Sequence, residues 1–230
     1  SPFLFMNSFL CINVVGWSHI FDSISLKMKL PIDINQIKGF IHPEEGKSLY
    51  ELALKHCTNE PCLEIGSYCG KSSVYLGTAL KMNNQILYSI DHHKGSEEQQ
   101  PGEEYFDPDL LNKSGDGIDT YPFFLDTINK SGLEDTIKPI VGTSTETAKS
   151  WTKKLSLVFI DGGHSEESAQ NDYKHWKNFI IQGGLLLIHD VFPNPKDGGR
   201  PPYNIYQKAL KSKEFEEIYF IQSLAVLKKL

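Results

Sequence analysis

Apolar positions along the chain switch repeatedly between two periods from residue 43 onward. Pro43 suits a first helical position, and Leu49, Leu52 and Ala53 follow at helical spacing, which predicts a helix over 43–57. The short run Cys62-Leu63-Glu64-Ile65 stops at a glycine turn and reads as a buried strand. A helix follows over 72–82, with Val74, Leu76, Ala79 and Leu80 turned inward, and then a second strand over 85–91. The alternation resumes with a helix over 120–131 that Gly132 terminates, and a third strand over 136–141. Thr143 and Glu146 stand at capping-box spacing and open a helix to about residue 153. Strands at 155–161 and 185–190 are apolar up to a terminal carboxylate. Between them a helix spans 165–182, with Glu166 and Glu167 complementing its dipole and Gly183-Gly184 ending it. After a helix over 203–211, strands at 217–222 and 224–229 are joined too tightly for a parallel crossover, so they form an antiparallel hairpin.

Continuous apolar strands between helices imply an α/β fold, a mostly parallel sheet with helices on both faces. Ligands of such sheets bind beyond the carboxyl ends of the strands. The candidate site is therefore the set of strand tips: Glu64 to Gly66, Asp91, Gly142, Asp161 and His189-Asp190. Two stretches dense in glycine, proline and charge, 92–118 and 192–202, read as functional loops beside those tips.

The 230 residues suffice for one domain, and 40% hydrophobic with 23% charged residues is ordinary globular composition. A net charge of −6 with scattered basic residues argues against nucleic acid as a partner. Cys11, Cys57, Cys62 and Cys69 form no CxxC pair, so they read as free thiols in a reduced, cytoplasmic setting. The apolar stretch 3–17 is too short to span a bilayer and is interrupted by Asn7 and Asn13, which argues against a membrane anchor. Residues 1–27 read as an N-terminal extension, with the domain itself over 28–230.

The turn after the first strand, Glu64-Ile-Gly66-Ser-Tyr-Cys-Gly70-Lys71-Ser72, is one residue too short for a P-loop. It also lacks the second glycine of a nicotinamide fingerprint, since position 68 is Tyr. It resembles instead the ExGxxxGxS turn of class I S-adenosylmethionine-dependent methyltransferases. The segments LEIGSYCGKSSVYLG, YSIDHHKGSEEQQPG, VFIDGGHSEESAQNDYKHW and LLLIHDVFPNPKDGGRPPY extend that resemblance over most of 28–230. The group is similar in turn to macrolide sugar O-methyltransferases and to the methyltransferase-like partner of cephalosporin hydroxylation.

The resemblance implies a Rossmann-like seven-stranded sheet whose last strand is antiparallel, and S-adenosylmethionine as cofactor. It places Glu64, Gly66, Ser67, Tyr68, Gly70 and Ser72 around the amino-acid end of that cofactor, with Glu64 facing its cationic centre. Asp91, beside His92, would take both ribose hydroxyls in a bidentate grip, and Gly142, Thr143 and Ser144 would lie along the adenine. By the same resemblance Asp161 would also contact the cofactor.

If the strands ending in Asp161 and Asp190 are neighbours, as the family order implies, their tips lie about 5 Å apart. Two carboxylates so close want a cation or a shared proton, and Mg²⁺ or another divalent ion is the natural guest. By the same resemblance Asp161 and Asp190 would hold metal and His164 would take the proton of the acceptor hydroxyl. The relatives carry an acidic pair where this chain has His189-Asp190. His189 is then either a third metal ligand or a core histidine bonded to backbone. The acceptor pocket falls to His93 and Lys94 in one loop, and to Arg200 and Tyr203 in the other.

The function implied is O-methylation of a small-molecule hydroxyl, of sugar or natural-product type, by an enzyme that its relatives suggest is a homo-oligomer. Two rivals are a cofactor-binding subunit that transfers nothing and a nucleotide-dependent enzyme using the glycine turn.

Overall fold

The computed structural model describes residues 28–230, except Glu104, His164 and the side chain of Glu97. The predicted extension at 1–27 lies outside the described residues. Helix α1 (Pro43–His56) is followed by β1 (Cys62–Ile65), α2 (Lys71–Met82) and β2 (Leu87–Asp91). Then come α3 (Tyr121–Ser131), β3 (Ile137–Val141), α4 (Ser144–Ser150) and β4 (Leu155–Ile160). The chain ends with α5 (Glu166–Trp176), β5 (Ile180–Ile188), α6 (Pro201–Lys211), β6 (Phe215–Ile221) and β7 (Leu224–Lys229).

The seven strands form one sheet in the order β3-β2-β1-β4-β5-β7-β6. The first five are mutually parallel, and β7 runs antiparallel to both β5 and β6. Strand residues alternate between two apolar layers, because successive side chains point to opposite faces. Leu157 and Phe159 pack with α1, α2 and α3 residues such as Leu49, Leu76 and Phe124, whereas Val158 and Ile160 pack with Tyr173, Trp176 and Ile205. Each fully buried Leu or Ile contributes about 1.5–3 kcal/mol over its exposed state. Order along the sheet reverses between β1 and β4, and the crevice at that switch point is where ligands of open α/β sheets bind.

The boundaries that depart furthest from the sequence reading lie in α5, β5 and α4. Helix α5 stops at Trp176, and β5 begins at Ile180, running through Gly183-Gly184. The glycines absorb a bulge: Leu155 pairs with Ile180, but Leu157 pairs with Leu185. Gly183 adopts φ +78°, and a Cβ on Gly184 would lie 2.9 Å from the Ser156 carbonyl. A glycine pair serves a bulge as readily as a helix stop. Helix α4 also ends early, at Ser150; Trp151 leaves it and, half-buried, packs edge-on against Tyr88 and Trp176 at the border of the core.

Candidate active site

The turn after β1 is shaped by contacts within the protein. Gly66 has φ +85°, and a Cβ there would sit 2.0 Å from the Asp161 carbonyl oxygen, so only glycine lets the tips of β1 and β4 close together. Gly70, also left-handed, starts α2 without a side-chain cap, leaving that helix's first amides facing the turn. Glu64 does not face the mouth of the site as the resemblance implied. It is fully buried and accepts from the hydroxyls of Ser72, Ser73 and Ser89, bracing β1 against α2 and β2. Burial pushes its carboxyl up to about 7, although the three hydroxyls and their bonds oppose that rise.

Asp91, at the tip of β2, anchors the same turn. One carboxylate oxygen accepts from the amides of Ser67 (2.9 Å) and Tyr68 (2.8 Å), the other from the His93 amide (2.7 Å). Among the described residues this leaves one lone pair on the second oxygen, which suits one ribose hydroxyl better than a two-oxygen grip. At the neighbouring tip, the Gly142 amide donates to the Asp91 carbonyl, and Thr143 caps α4 through the Glu146 amide. Ser144 donates its hydroxyl to Asp172. Asp172 is 3% exposed on the inward stripe of α5, between Ala169 and Tyr173, and burial raises its carboxyl to about 6. The sequence pattern does not single out Asp172, yet an acid on that apolar stripe is the signal that marks it.

The tips of β4 and β5 correct the expected pairing of Asp161 with Asp190. Ile160 pairs with Ile188, so the residue that comes against Asp161 is His189. Its Nδ1 lies 2.9 Å from Asp161 Oδ1 and 3.4 Å from Asp190 Oδ1, and its Nε2 lies 2.9 Å from Glu45 Oε2. Carboxylates only accept, so both ring nitrogens donate and the ring is an imidazolium. Burial alone would lower the imidazole pKa; the charge of Asp161 and bonds to Asp161, Asp190 and Glu45 outweigh it and hold the value far above the ordinary range. Glu45, on α1, is 2% exposed and is held below the usual carboxylate range: burial opposes this, but His189 outweighs it by bond and charge, with Ser223 and His42 amides adding to it. His189 is thus neither free to coordinate as it stands nor bonded to backbone. Ligand atoms of Asp161, His189 and Asp190 gather within 4.8 Å, but a divalent ion would need the proton that Nδ1 gives to Asp161. The donor set as arranged fits a proton rather than a metal. His164, the expected base, lies outside the described residues.

The flanking loops divide differently from expectation. His92 and Lys94 are exposed, but His93 is buried, with Nδ1 2.8 Å from Thr120 Oγ1 and its ring against Tyr121 and Phe124. Burial lowers its pKa, and at 2% exposure it is placed to pack against α3 rather than to line the mouth of the site. Arg200 donates to the Phe192 and Pro193 carbonyls and stacks 3.8 Å over the Tyr203 ring, stapling its own loop.

A hollow of about 420 Å³ opens instead between residues 38–40 and the 105–108 stretch, over Tyr68 of the glycine turn. Phe40 and Tyr105 line it while 63% and 47% exposed, with Tyr68 and Phe106 beside them. Lys38 ties its two walls together through Asp107 and Asp109. The 92–118 loop was expected to shape a pocket; the opposite wall, Lys38 to Phe40, carries no motif. No helix among the described residues is long and apolar enough to cross a membrane.

Comparison with known proteins places this geometry. A family model described as a methyltransferase domain matches residues 63–191, more than half of the chain. Among solved structures, a Staphylococcus aureus protein assigned as a caffeoyl-CoA O-methyltransferase is similar at TM-score 0.60 and 13% identity, over 86% of this chain and 88% of that one. An O-methyltransferase from Bacillus cereus in complex with SAH is similar at TM-score 0.60 and 12% identity, over 85% of each chain. An SAH-bound methyltransferase from Podospora anserina is similar at TM-score 0.59 and 14% identity, over 83% and 79%. At these identities the likeness is one of fold.

Proposed function

Because this chain belongs to the methyltransferase domain family, we propose that it uses S-adenosylmethionine to methylate a hydroxyl of a small molecule. The observation that carries this reading is the convergence of the glycine turn, Asp91, Gly142–Ser144 and Asp161 on one crevice, at the sheet's switch point. S-adenosylmethionine supplies a methyl already activated on a sulfonium. The protein's part is alignment and removal of one proton.

The left-handed turn and the uncapped start of α2 offer amides to the donor's carboxylate end, and Asp91 offers its remaining lone pair to the ribose. The aromatic hollow over Tyr68 takes the apolar face of the acceptor, of sugar or natural-product type, and excludes water around its hydroxyl. His164, three residues after Asp161, accepts the hydroxyl proton as the oxygen forms its bond to the methyl carbon and the carbon–sulfur bond breaks. Asp161, fixed by His189, holds negative charge beside the cationic donor.

Calorimetry tests the donor: the protein should bind S-adenosylhomocysteine and not ATP, and Asp91→Ala should weaken the first by tenfold or more. Heat confined to ATP, or an Asp91→Ala protein with unchanged affinity, rejects the reading. Transfer of tritiated methyl to small molecules of a cell extract should fall with His164→Ala and with Asp161→Asn.

A further inference from the structure

We propose that His93, clasped to Thr120, is a positioning residue that ties one wall of the aromatic hollow to the carboxylate of Asp91. The inference rests on the reading of the crevice as the donor slot and of the hollow as the acceptor's place.

His93 and Thr120 are the two ends of a long excursion. Residues 94–119 leave the sheet after β2 and return just before α3, and they carry Tyr105, Phe106 and Asp107 of the hollow. Two bonds close the base of this loop: the Thr120 amide donates to the His93 carbonyl (3.0 Å), and His93 Nδ1 lies 2.8 Å from Thr120 Oγ1. Both residues are buried, so the side-chain bond is made away from water, where losing one partner strands the other. Within the loop, Leu111 bridges to Ile118, and the Asp119 amide donates to the Leu110 carbonyl. Its buried apolar grip on the glycine turn is one small cluster, Cys69 with Leu110 and Ile118. The wall therefore depends on how the ends of the loop are held.

The His93 end is held by Asp91. The His93 amide donates to Asp91 Oδ1 (2.7 Å), the oxygen that keeps a lone pair for the ribose, whereas Oδ2 serves the Ser67 and Tyr68 amides. A ribose hydroxyl and the base of the loop thus meet at one atom. His93 turns there at φ +60°, a left-handed backbone that persists only where the surroundings hold it. The ring supplies that hold, with centroids 5.0 Å from Tyr121 and 5.2 Å from Phe124 of α3. Phe124 in turn lies against the glycine turn, 3.2 Å from where a Cβ of Gly70 would be. A ligand shifts a remote segment only by favouring one of its arrangements. Here the favoured arrangement is the closed clasp, which presents the His93 amide and the ribose hydroxyl to the same oxygen together.

The test is amide hydrogen exchange with and without S-adenosylhomocysteine, a probe of the donor slot alone. In wild-type protein the ligand should slow exchange across 94–119 by about tenfold, a coupling of ordinary size. Thr120→Val removes the hydroxyl at nearly constant shape and keeps the backbone bond. There the slowing should fall to within about twofold in the loop, while the turn at 66–70 stays protected by the ligand. Thr120→Ser, which keeps the hydroxyl, should restore it. Wild-type protein that binds the ligand with exchange in 94–119 unchanged overturns the proposal and leaves the donor slot standing. So does a Thr120→Val protein whose loop exchanges faster in both states with the ligand's effect kept, the mark of a residue that only stabilises the loop. Wild-type protein that does not bind the ligand removes the slot itself. If Thr120→Val does not fold, His93→Gly and His93→Asn decide instead: both accept left-handed backbone, and only asparagine keeps a polar atom opposite Thr120, so only it should keep the slowing.

Discussion

Replacing Glu45 by glutamine removes one of the charges that keep His189 an imidazolium. Glu45 accepts from His189 Nε2 and the His42 amide on one oxygen, and from the Ser223 amide and hydroxyl on the other. Glutamine keeps one acceptor oxygen but turns N–H groups on two donors. Removing one partner of a buried ion pair costs about 3–5 kcal/mol, a large share of the roughly 5–15 kcal/mol that holds a domain folded. For a chain of this length 3 kcal/mol lowers the melting temperature by about 6–12 °C. His189→Gln should cost about as much, because Glu45 and Asp161 are then left without their shared cation. The double variant should lose at least 2 kcal/mol less than the sum of the single losses, since the second change removes a charge already stranded.

The pH dependence has a fixed sign. The His189 contribution, from a raised folded-state pKa, is complete below about 6.5 and falls by about 1.4 kcal/mol per unit as pH rises beyond it. The Glu45 contribution, from a lowered pKa, is present above about 4.5 and is lost as pH falls through its folded-state value. The pair therefore stabilises most between those limits. Urea unfolding of the four proteins, at several pH values, measures all of this. Single losses that add to within about 0.5 kcal/mol would refute the coupled clamp.

Two further outcomes follow from the same buried charges. Glu64, raised from 4.5 to about 7, binds its proton more tightly when folded, so its contribution to stability declines by roughly 3 kcal/mol between those values as pH rises. Glu64→Gln should flatten that part of the urea-stability profile, and a profile unchanged from the parent's would remove Glu64 as its cause. Because both His189 nitrogens donate to carboxylates, methyl transfer should continue within twofold in a chelator; a tenfold loss restored by added Mg²⁺ or Mn²⁺ would show that metal displaces the Nδ1 proton.

Legibility in the sequence tracked how local each cause was. Strands such as β4 announce themselves because every residue from Leu155 to Ile160 is buried. The antiparallel end followed from the short link between β6 and β7. Gly183-Gly184 misled because the residue type is shared by two backbone solutions, and only the pairing with β4 shows which was taken. The Asp161–Asp190 expectation failed by one residue of register, which sequence alone does not fix, and that residue decides whether a ring or a carboxylate meets Asp161. Glu45 was invisible as a site residue: its spacing from His42 accounts for it as a helix cap, and its partner His189 is 144 positions away. The glycine turn was legible as a motif, but the reason for Gly66 lies in a carbonyl from a different strand.

The family match spans 63–191, yet Phe40 on the hollow and Glu45 on the clamp both precede it. A stretch of only eight residues, from Lys38 to Glu45, thus lines the hollow with one end and holds the His189 ring with the other. On the reading proposed above, exchanging Lys38 to Phe40 alone between chains of this kind should change what is recognised while leaving Glu45 and the clamp untouched.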